Sequence, residues 1–177
     1  MNKVLKFSSL FLAILAATPG FAQAPVSTLP GGATSLQETY QDWRVSCMQQ
    51  AGSKRCALAQ QQTQENGQLV LAIELQPSAK ANEVIGNLMM PFGLALANGV
   101  TLQPEEGKPL PTLQFKTCVA QGCIVPLPLD AATVSALRKA SGLKVGATAS
   151  DSAQPVQLRI SLKGFAPALD RTIELAK

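Results

Sequence analysis

Cys47, Cys56, Cys118 and Cys123 are the four residues of this chain with the most chemistry to offer. Thiols can close disulfides, bind zinc as thiolates or work as a redox pair. Redox pairs usually take C-x-x-C spacing at a helix N-terminus, which lowers a thiol pKa, and structural zinc sites favour similarly short spacings. Neither spacing here is of that type, so disulfides are the expected state in an oxidising compartment. Three pairings are open to four cysteines, and sequence alone does not choose among them. Spacing prefers Cys47 with Cys56 and Cys118 with Cys123, because each pair flanks one turn between neighbouring strands and needs no long-range chain search.

The remaining reactive residues give no second constellation. The chain contains no histidine, which removes Ser-His-Asp and Cys-His arrangements, imidazole base catalysis and the commonest metal ligand. Glu105, Glu106 and Asp151 are candidates for paired carboxylates in glycoside hydrolysis, yet they fall in loops with no fixed relation to one another. Met48, Met89 and Met90 could make a soft metal site; adjacent strand residues point to opposite faces, so Met89 and Met90 read as core filler. Ser46 and Ser53 have no base partner and no G-x-S-x-G elbow. Lys54-Arg55 and Arg138-Lys139 are too short and too separate to track phosphates. No catalytic residue, cofactor-binding residue or metal ligand is expected, and the chain does not read as an enzyme.

Composition narrows the partners. The formal charge is +4, and with Lys3 and Lys6 removed in a leader the balance is 13 basic to 11 acidic residues. That small excess implies neither nucleic acid nor an anionic membrane. Tyr40, Trp43, Phe92, Phe115 and Phe165 are the aromatics after the leader, few for a sugar or single-strand stacking site. Met1 to Ala22 reads as a secretory signal peptide: Lys3 and Lys6, an apolar run from Phe7 to Ala17, then Pro19-Gly20 and small residues, with cleavage expected after Ala22. The expected localisation is the periplasm, the cell surface or the medium of a bacterium. No later segment is long and apolar enough to span a membrane as a helix.

The elements that must position the cysteines are strands. Residues 23–37 are uncharged and rich in Pro, Gly, Ser and Thr, and read as a flexible linker, with a single domain over 38–177. From Tyr40 the pattern turns to period two, with Trp43, Val45 and Cys47 on one side. Ala51 to Lys54 is a turn and Arg55 to Gln62 a second, more polar strand. Asn66-Gly67 predicts a type I′ hairpin turn feeding Leu69 to Leu75. Val84 to Met90 is a strand, Leu94 to Leu102 two short strands bent at Asn98-Gly99, and Leu113 to Cys118 and Cys123 to Leu129 strands around a tight turn. Asp130 caps a helix over Ala131 to Ala140, closed by Gly142. Leu143 to Ala149 and Val156 to Lys163 are strands, and Phe165 to Leu175 predicts a terminal helix. Eight or nine short strands point to an all-β sandwich or partly closed barrel.

Several blocks together resemble the invasion-associated locus B (IalB) family of exported bacterial proteins. They are Asp42-Trp43-x-Val45-x-Cys47 with Cys56, Pro91-Phe92-Gly93-Leu94 through Asn98-Gly99-Val100-x-Leu102, Phe115-x-x-Cys118 with Gly122-Cys123, and Ser161-Leu162-x-Gly164-Phe165-x-x-Ala168-Leu169. The resemblance implies an immunoglobulin-like antiparallel β-sandwich with one or two short helices, and no catalytic centre. The family takes its name from a role of pathogenic members in host-cell entry. The expected function is therefore a disulfide-stabilised envelope protein that binds an unknown protein or envelope component. A periplasmic small-ligand carrier is the alternative, and a histidine-free hydrolase the third reading.

Overall fold

The computed structural model describes residues 29–50, 52–80 and 82–177. The expected signal peptide over 1–22 and the expected linker up to residue 28 lie outside the described residues. In chain order the elements are β1 (Ser35–Tyr40), β2 (Trp43–Gln50), β3 (Ser53–Thr63), β4 (Leu69–Pro77), β5 (Val84–Met90), β6 (Thr101–Pro104), β7 (Thr117–Val119), β8 (Gly122–Leu129), α1 (Ala131–Leu137), β9 (Gly142–Thr148), β10 (Pro155–Ser161) and α2 (Phe165–Ala176).

All pairings between these strands are antiparallel. Seven strands form one sheet in the order β1-β2-β3-β4-β5-β8-β7, and three form a second in the order β10-β9-β6. The result is an all-β antiparallel sandwich with two short helices. Period-two patterning sets the inner faces. Trp43, Val45 and Cys47 of β2, Leu71, Ile73 and Leu75 of β4, and Val84, Leu88 and Met90 of β5 are buried from the large sheet, as are Leu143, Val145 and Ile160 from the small one. Helix α2 covers the β2–β3 end of the large sheet, burying Phe165, Ala168, Leu169, Thr172 and Leu175. The rings of Trp43 and Phe165 meet there at 5.1 Å.

A row of polar contacts joins the two sheets. β10 is an edge strand, and its outward peptide groups need partners where it meets the large sheet. Gln60, the buried polar residue in the inner row of β3, donates from Nε2 to the Ser161 carbonyl at 2.9 Å and accepts from the Ser161 N–H at 3.2 Å. Trp43 Nε1 donates to the same carbonyl at 2.9 Å. Gln62 Nε2 donates to the Arg159 carbonyl at 2.7 Å. Side chains of the large sheet thus stand where a further strand would.

A second tie is ionic. Arg171 of α2 reaches Glu38 of β1 at 2.8 Å, and Tyr40 donates its hydroxyl to the same carboxylate at 2.8 Å. The guanidinium holds the Glu38 carboxyl below its ordinary range. The helix starts where it does because Gly164 adopts φ 82°, and a Cβ there would run into the Tyr40 carbonyl.

Several sequence expectations change. The linker does not reach residue 37: Leu29 is buried, Pro30–Gly32 makes a 3-10 turn, and Ser35–Tyr40 is a strand. β1 lacks an apolar alternation because its inward row carries Glu38, whose partner Arg171 lies far away in sequence. Asn66-Gly67 does turn a hairpin, but the left-handed φ belongs to Gly67 alone, at 81°. With Gly67 N–H bonded to the Gln64 carbonyl and Gln64 N–H to the Gln68 carbonyl, this is a type I turn with a glycine bulge. Leu96 is not in a strand; it opens a 3-10 turn, Leu96–Asn98, closed by the Gly99 N–H on the Leu96 carbonyl. Between Leu113 and Lys116 only an isolated bridge to Val100 forms, and β7 begins at Thr117. α1 stops at Leu137, and Gly142 opens β9, where a Cβ would meet the Arg159 guanidinium.

Trp43→Ala is expected to cost about 3–5 kcal/mol, the range for deleting a buried aromatic. Trp43→Phe keeps most of the ring and leaves Ser161 its Gln60 bond, so a loss of about 1 kcal/mol is expected. Urea melts followed by far-UV circular dichroism measure both; equal losses would mean the indole N–H is the main contribution and the packing account is wrong.

Candidate functional site

The cysteines form two disulfides, Cys47 with Cys56 and Cys118 with Cys123, and no free cysteine remains among the described residues. Each bond joins residues directly opposite in register. The Trp43 and Tyr40 pair closes a two-residue turn, which aims the Cys47 backbone at β1 and leaves Cys47–Cys56 as the close, non-hydrogen-bonded type of pair. Its Cα atoms lie 4.1 Å apart, and those of Cys118 and Cys123 lie 3.9 Å apart. The first disulfide is buried in the core and the second staples the β7–β8 hairpin, with Cys118 exposed.

The other candidates do not converge. Met90 is buried in the core, Met89 faces the opposite side of β5, and Met48 is exposed on β2. Ser46 faces outward on β2 opposite Ala57, and the Ser53 hydroxyl donates to the Gln50 carbonyl at 3.0 Å. Arg138 pairs with Asp170 at 2.7 Å. Asp151 lies in the β9–β10 turn, away from Glu105 and Glu106, which follow β6.

Those two glutamates do meet partners. Arg159 donates from Nε and Nη2 to Glu105 at 2.7 and 3.0 Å, and the Ser141 hydroxyl lies 2.7 Å from an oxygen of each carboxylate. The Arg159 bonds first, then Ser141, bring the Glu105 carboxyl from an ordinary 4.5 to about 2. Ser141 lowers Glu106 as well, through its hydroxyl and its N–H. A glycosidase needs one carboxyl held protonated as the general acid. Here both are pushed toward the charged form, which suits them to tying the segment after β6 to Ser141 ahead of β9 and to Arg159 of β10.

What the structure adds is a groove on the outer face of the large sheet, away from the core. Its floor follows from register: Gln61 stands opposite Ala72, and Ala72 opposite Met89. One amide and two apolar side chains thus fall in one row across β3, β4 and β5. Leu69, Pro91 and Phe92 wall one end, and Ala120 and Gln121 at the tip of the disulfide-stapled hairpin line it too. The groove encloses about 560 Å³, and its polar lining is the amides of Gln61, Gln68 and Gln121, with no charged side chain. Phe92 is 59% exposed and Val119 beside the hairpin tip 40%. The site could not be seen in the sequence because its residues come from three strands and three turns. The one local signal was an aromatic in a Pro-Phe-Gly turn, a poor place for core filler.

Comparison with known proteins places this arrangement among relatives. Residues 43–172 match the family model described as invasion associated locus B (IalB) protein. An invasion protein B homolog of Brucella abortus is 47% identical over 152 residues, covering 85% of this chain and 87% of that protein. Invasion protein B of Bartonella bacilliformis is 34% identical over 187 residues, covering both chains fully. The crystal structure of invasion associated protein B from Bartonella henselae superposes with a TM-score of 0.74 at 37% identity, covering 79% of this chain and 96% of that one.

The Glu105 carboxyl is lowered in the folded state, so its contribution is present above the ordinary 4.5 and is lost as pH falls toward about 2. Glu105→Gln is expected to lower the thermal midpoint at neutral pH and to converge with the wild type near pH 2. Midpoints that differ equally at both ends of the titration would show that the Arg159 pairing is not the cause. Replacing Cys118 and Cys123 together by Ser is expected to destabilise by about 2 kcal/mol, the loop-entropy value for so short a loop. Guanidinium melts check it, and a loss beyond about 4 kcal/mol would assign the hairpin a larger part in the fold.

Proposed function

This chain belongs to the invasion associated locus B family, and from that premise we propose that it is an exported, non-enzymatic envelope protein that holds another macromolecule in the groove beside Phe92. The reading includes removal of a signal peptide after Ala22 and residence in the periplasm or at the cell surface. Invasion is part of the relatives' names. Host-cell association is the setting it suggests for this chain, and an envelope component is the other kind of occupant.

The observation that carries the proposal is the exposed Phe92 beside the half-buried Ala72 and Met89. A monomer seldom leaves an aromatic side chain and a contiguous apolar floor on the outer face of a sheet without a use for them. Exposed aromatics set in a groove are the usual anchors of protein interfaces. An uncharged lining fits an occupant recognised by apolar side chains and peptide groups, which glutamine amides can meet as donor or acceptor. Two disulfides suit an oxidising compartment, and among the described residues no helix is long and apolar enough to cross a membrane.

The carrier reading has its own foothold, a smaller groove of about 280 Å³ lined by Val84, Val134, Leu169 and Ile173 with Arg138 at its rim. Native mass spectrometry of protein from its own host separates the two, since a co-purifying small molecule favours the carrier.

Phe92→Ser together with Met89→Ser is expected to reduce partner retention at least tenfold in pull-downs from envelope or host-surface extracts, with the circular dichroism spectrum unchanged. Retention equal to that of the wild type would remove the groove from the binding site. If the unaltered protein retained nothing, the interaction reading itself would fail.

A further inference from the structure

Sheet edges present rows of unpaired peptide groups, and folded proteins block them. Most edges of this sandwich carry such a device. The β10 edge is met by Gln60, Gln62 and Trp43. The β6 edge is covered by the returning chain, where Leu110 N–H bonds the Leu102 carbonyl and Leu113 pairs both ways with Val100. At the far side of the large sheet, β7 pairs only residues 122–124 of β8. The Ile124 carbonyl points to the β7 side, receiving the Lys116 N–H. Pro126 and Pro128 share its parity and so turn donor-free nitrogens toward that open edge.

β1 carries one weak device, the inward Glu38, and its charge is already held by Arg171 of the same chain. Its sequence, Ser-Leu-Gln-Glu-Thr-Tyr, contains no proline, lysine or arginine, and its register with β2 has no bulge. The Gln49 N–H donates to the Thr34 carbonyl, which fixes the phase. Thr34, Leu36, Glu38 and Tyr40 aim their peptide groups at β2, and Ser35, Gln37 and Thr39 aim theirs outward. Among the described residues, those outward groups have no hydrogen-bond partner. The side chains of the same residues are exposed and uncharged.

We propose that this edge pairs with the β1 edge of a second copy of the chain, antiparallel about a two-fold axis at Gln37. The outward residues are symmetric about that position. Gln37 faces Gln37, Ser35 faces Thr39, and every outward N–H and C=O of the row finds a partner. Shifting the register toward Tyr40 leaves Ser35 unpaired and sets Glu38 against Glu38, a like-charge pair. Shifting it the other way leaves Thr39 unpaired. In the centred register Glu38 stands opposite Leu36, and its charge is already held by Arg171. Ser35 and Thr39 bring hydroxyls together across the new pair, a favourable cross-strand combination. The two large sheets become one continuous sheet through an isologous contact, leaving the groove beside Phe92 open in both copies.

Sedimentation equilibrium over a concentration series reaching about 1 mM is the first test, because an interface of this size is weak. The expected result is a species of twice the monomer mass. Gln37→Pro removes a donor that β2 does not use, so a monomer with the unaltered protein's circular dichroism spectrum is expected. Should that variant fail to fold, Ser35→Lys with Thr39→Lys places charges on side chains already in water and is expected to give a monomer. Gln37→Cys reads the geometry. Hydrogen-bonded antiparallel partners have Cα atoms about 5.5 Å apart, inside the disulfide range of about 4.4–6.8 Å, so oxidation should cross-link the dimer. Ser35→Cys should not cross-link, because its two copies would stand about 13 Å apart along the strands. A monomer throughout the series, a dimer that persists in the Lys double variant, or cross-linking of Ser35→Cys as ready as that of Gln37→Cys would overturn the proposal.

Discussion

The Ser161 peptide group is where the two sheets of this protein become one structure. A small three-stranded sheet laid over a larger one sets the end of its own edge strand against that sheet, where the Ser161 peptide group is part-buried and poorly placed to bond water. Leaving one such group unpaired costs about 1–3 kcal/mol. Gln60 answers it with a carboxamide that presents a donor and an acceptor in the spacing of a peptide, and Trp43 adds an indole N–H. Gln62 continues the mimicry to Arg159. The polar row of β3 is therefore a structural requirement set by the topology, since an apolar residue at position 60 would pack well and strand the Ser161 N–H.

The same site explains why Trp43 has to be tryptophan. Its ring fills the space under α2 against Phe165, a task phenylalanine could partly perform. Its nitrogen reaches a strand 118 residues later in the chain. Helix α2 follows directly after that strand, so its docking depends on where β10 ends. Gly164 makes the turn between them with a left-handed backbone, against the Tyr40 carbonyl. First and last strands, terminal helix and the Trp-bearing hairpin are thus tied at one corner, with the Glu38–Arg171 pair closing it on the solvent side.

Much of this could be read from the chain alone where the determinants are local. Period-two runs marked β2, β4, β5 and β8, Asp130 marked the start of α1 by its side chain, which accepts from the Thr133 N–H at 2.7 Å, and Gly67 marked a hairpin. Reading failed where a residue's partner lies elsewhere in the sequence. β1 hid because Glu38 interrupts its apolar row, and only Arg171 makes that carboxylate tolerable there. Gln60 and Gln62 read as an exposed polar face, when they were edge partners for a strand about a hundred residues away. Leu96 read as part of a short strand, yet it is 41% exposed, because a local 3-10 turn lifts it out. The groove beside Phe92 could not be found from spacing at all, since its floor exists only once the register of three strands is fixed.

That register has a consequence for how function is distributed over the fold. Each strand of the large sheet carries two rows, and the inner one is committed: Trp43, Cys47, Leu58, Gln60, Leu71, Ile73 and Leu88 are held by packing, a disulfide or the Ser161 bonds. The outer row contributes little to stability, so Ala72, Met89 and Ile124 are free of the constraints that hold Leu71 and Leu88. Substitution there changes the surface without disturbing the core, as the period of two guarantees. Belonging to a family therefore speaks with most force about the inner rows and the fold they impose. On the proposed reading, what this chain binds is set by the outer row and the turns around it, which the core does not constrain. In this chain the groove has Ala72 and Met89 at its centre, glutamine amides beside them and no charged side chain in its lining.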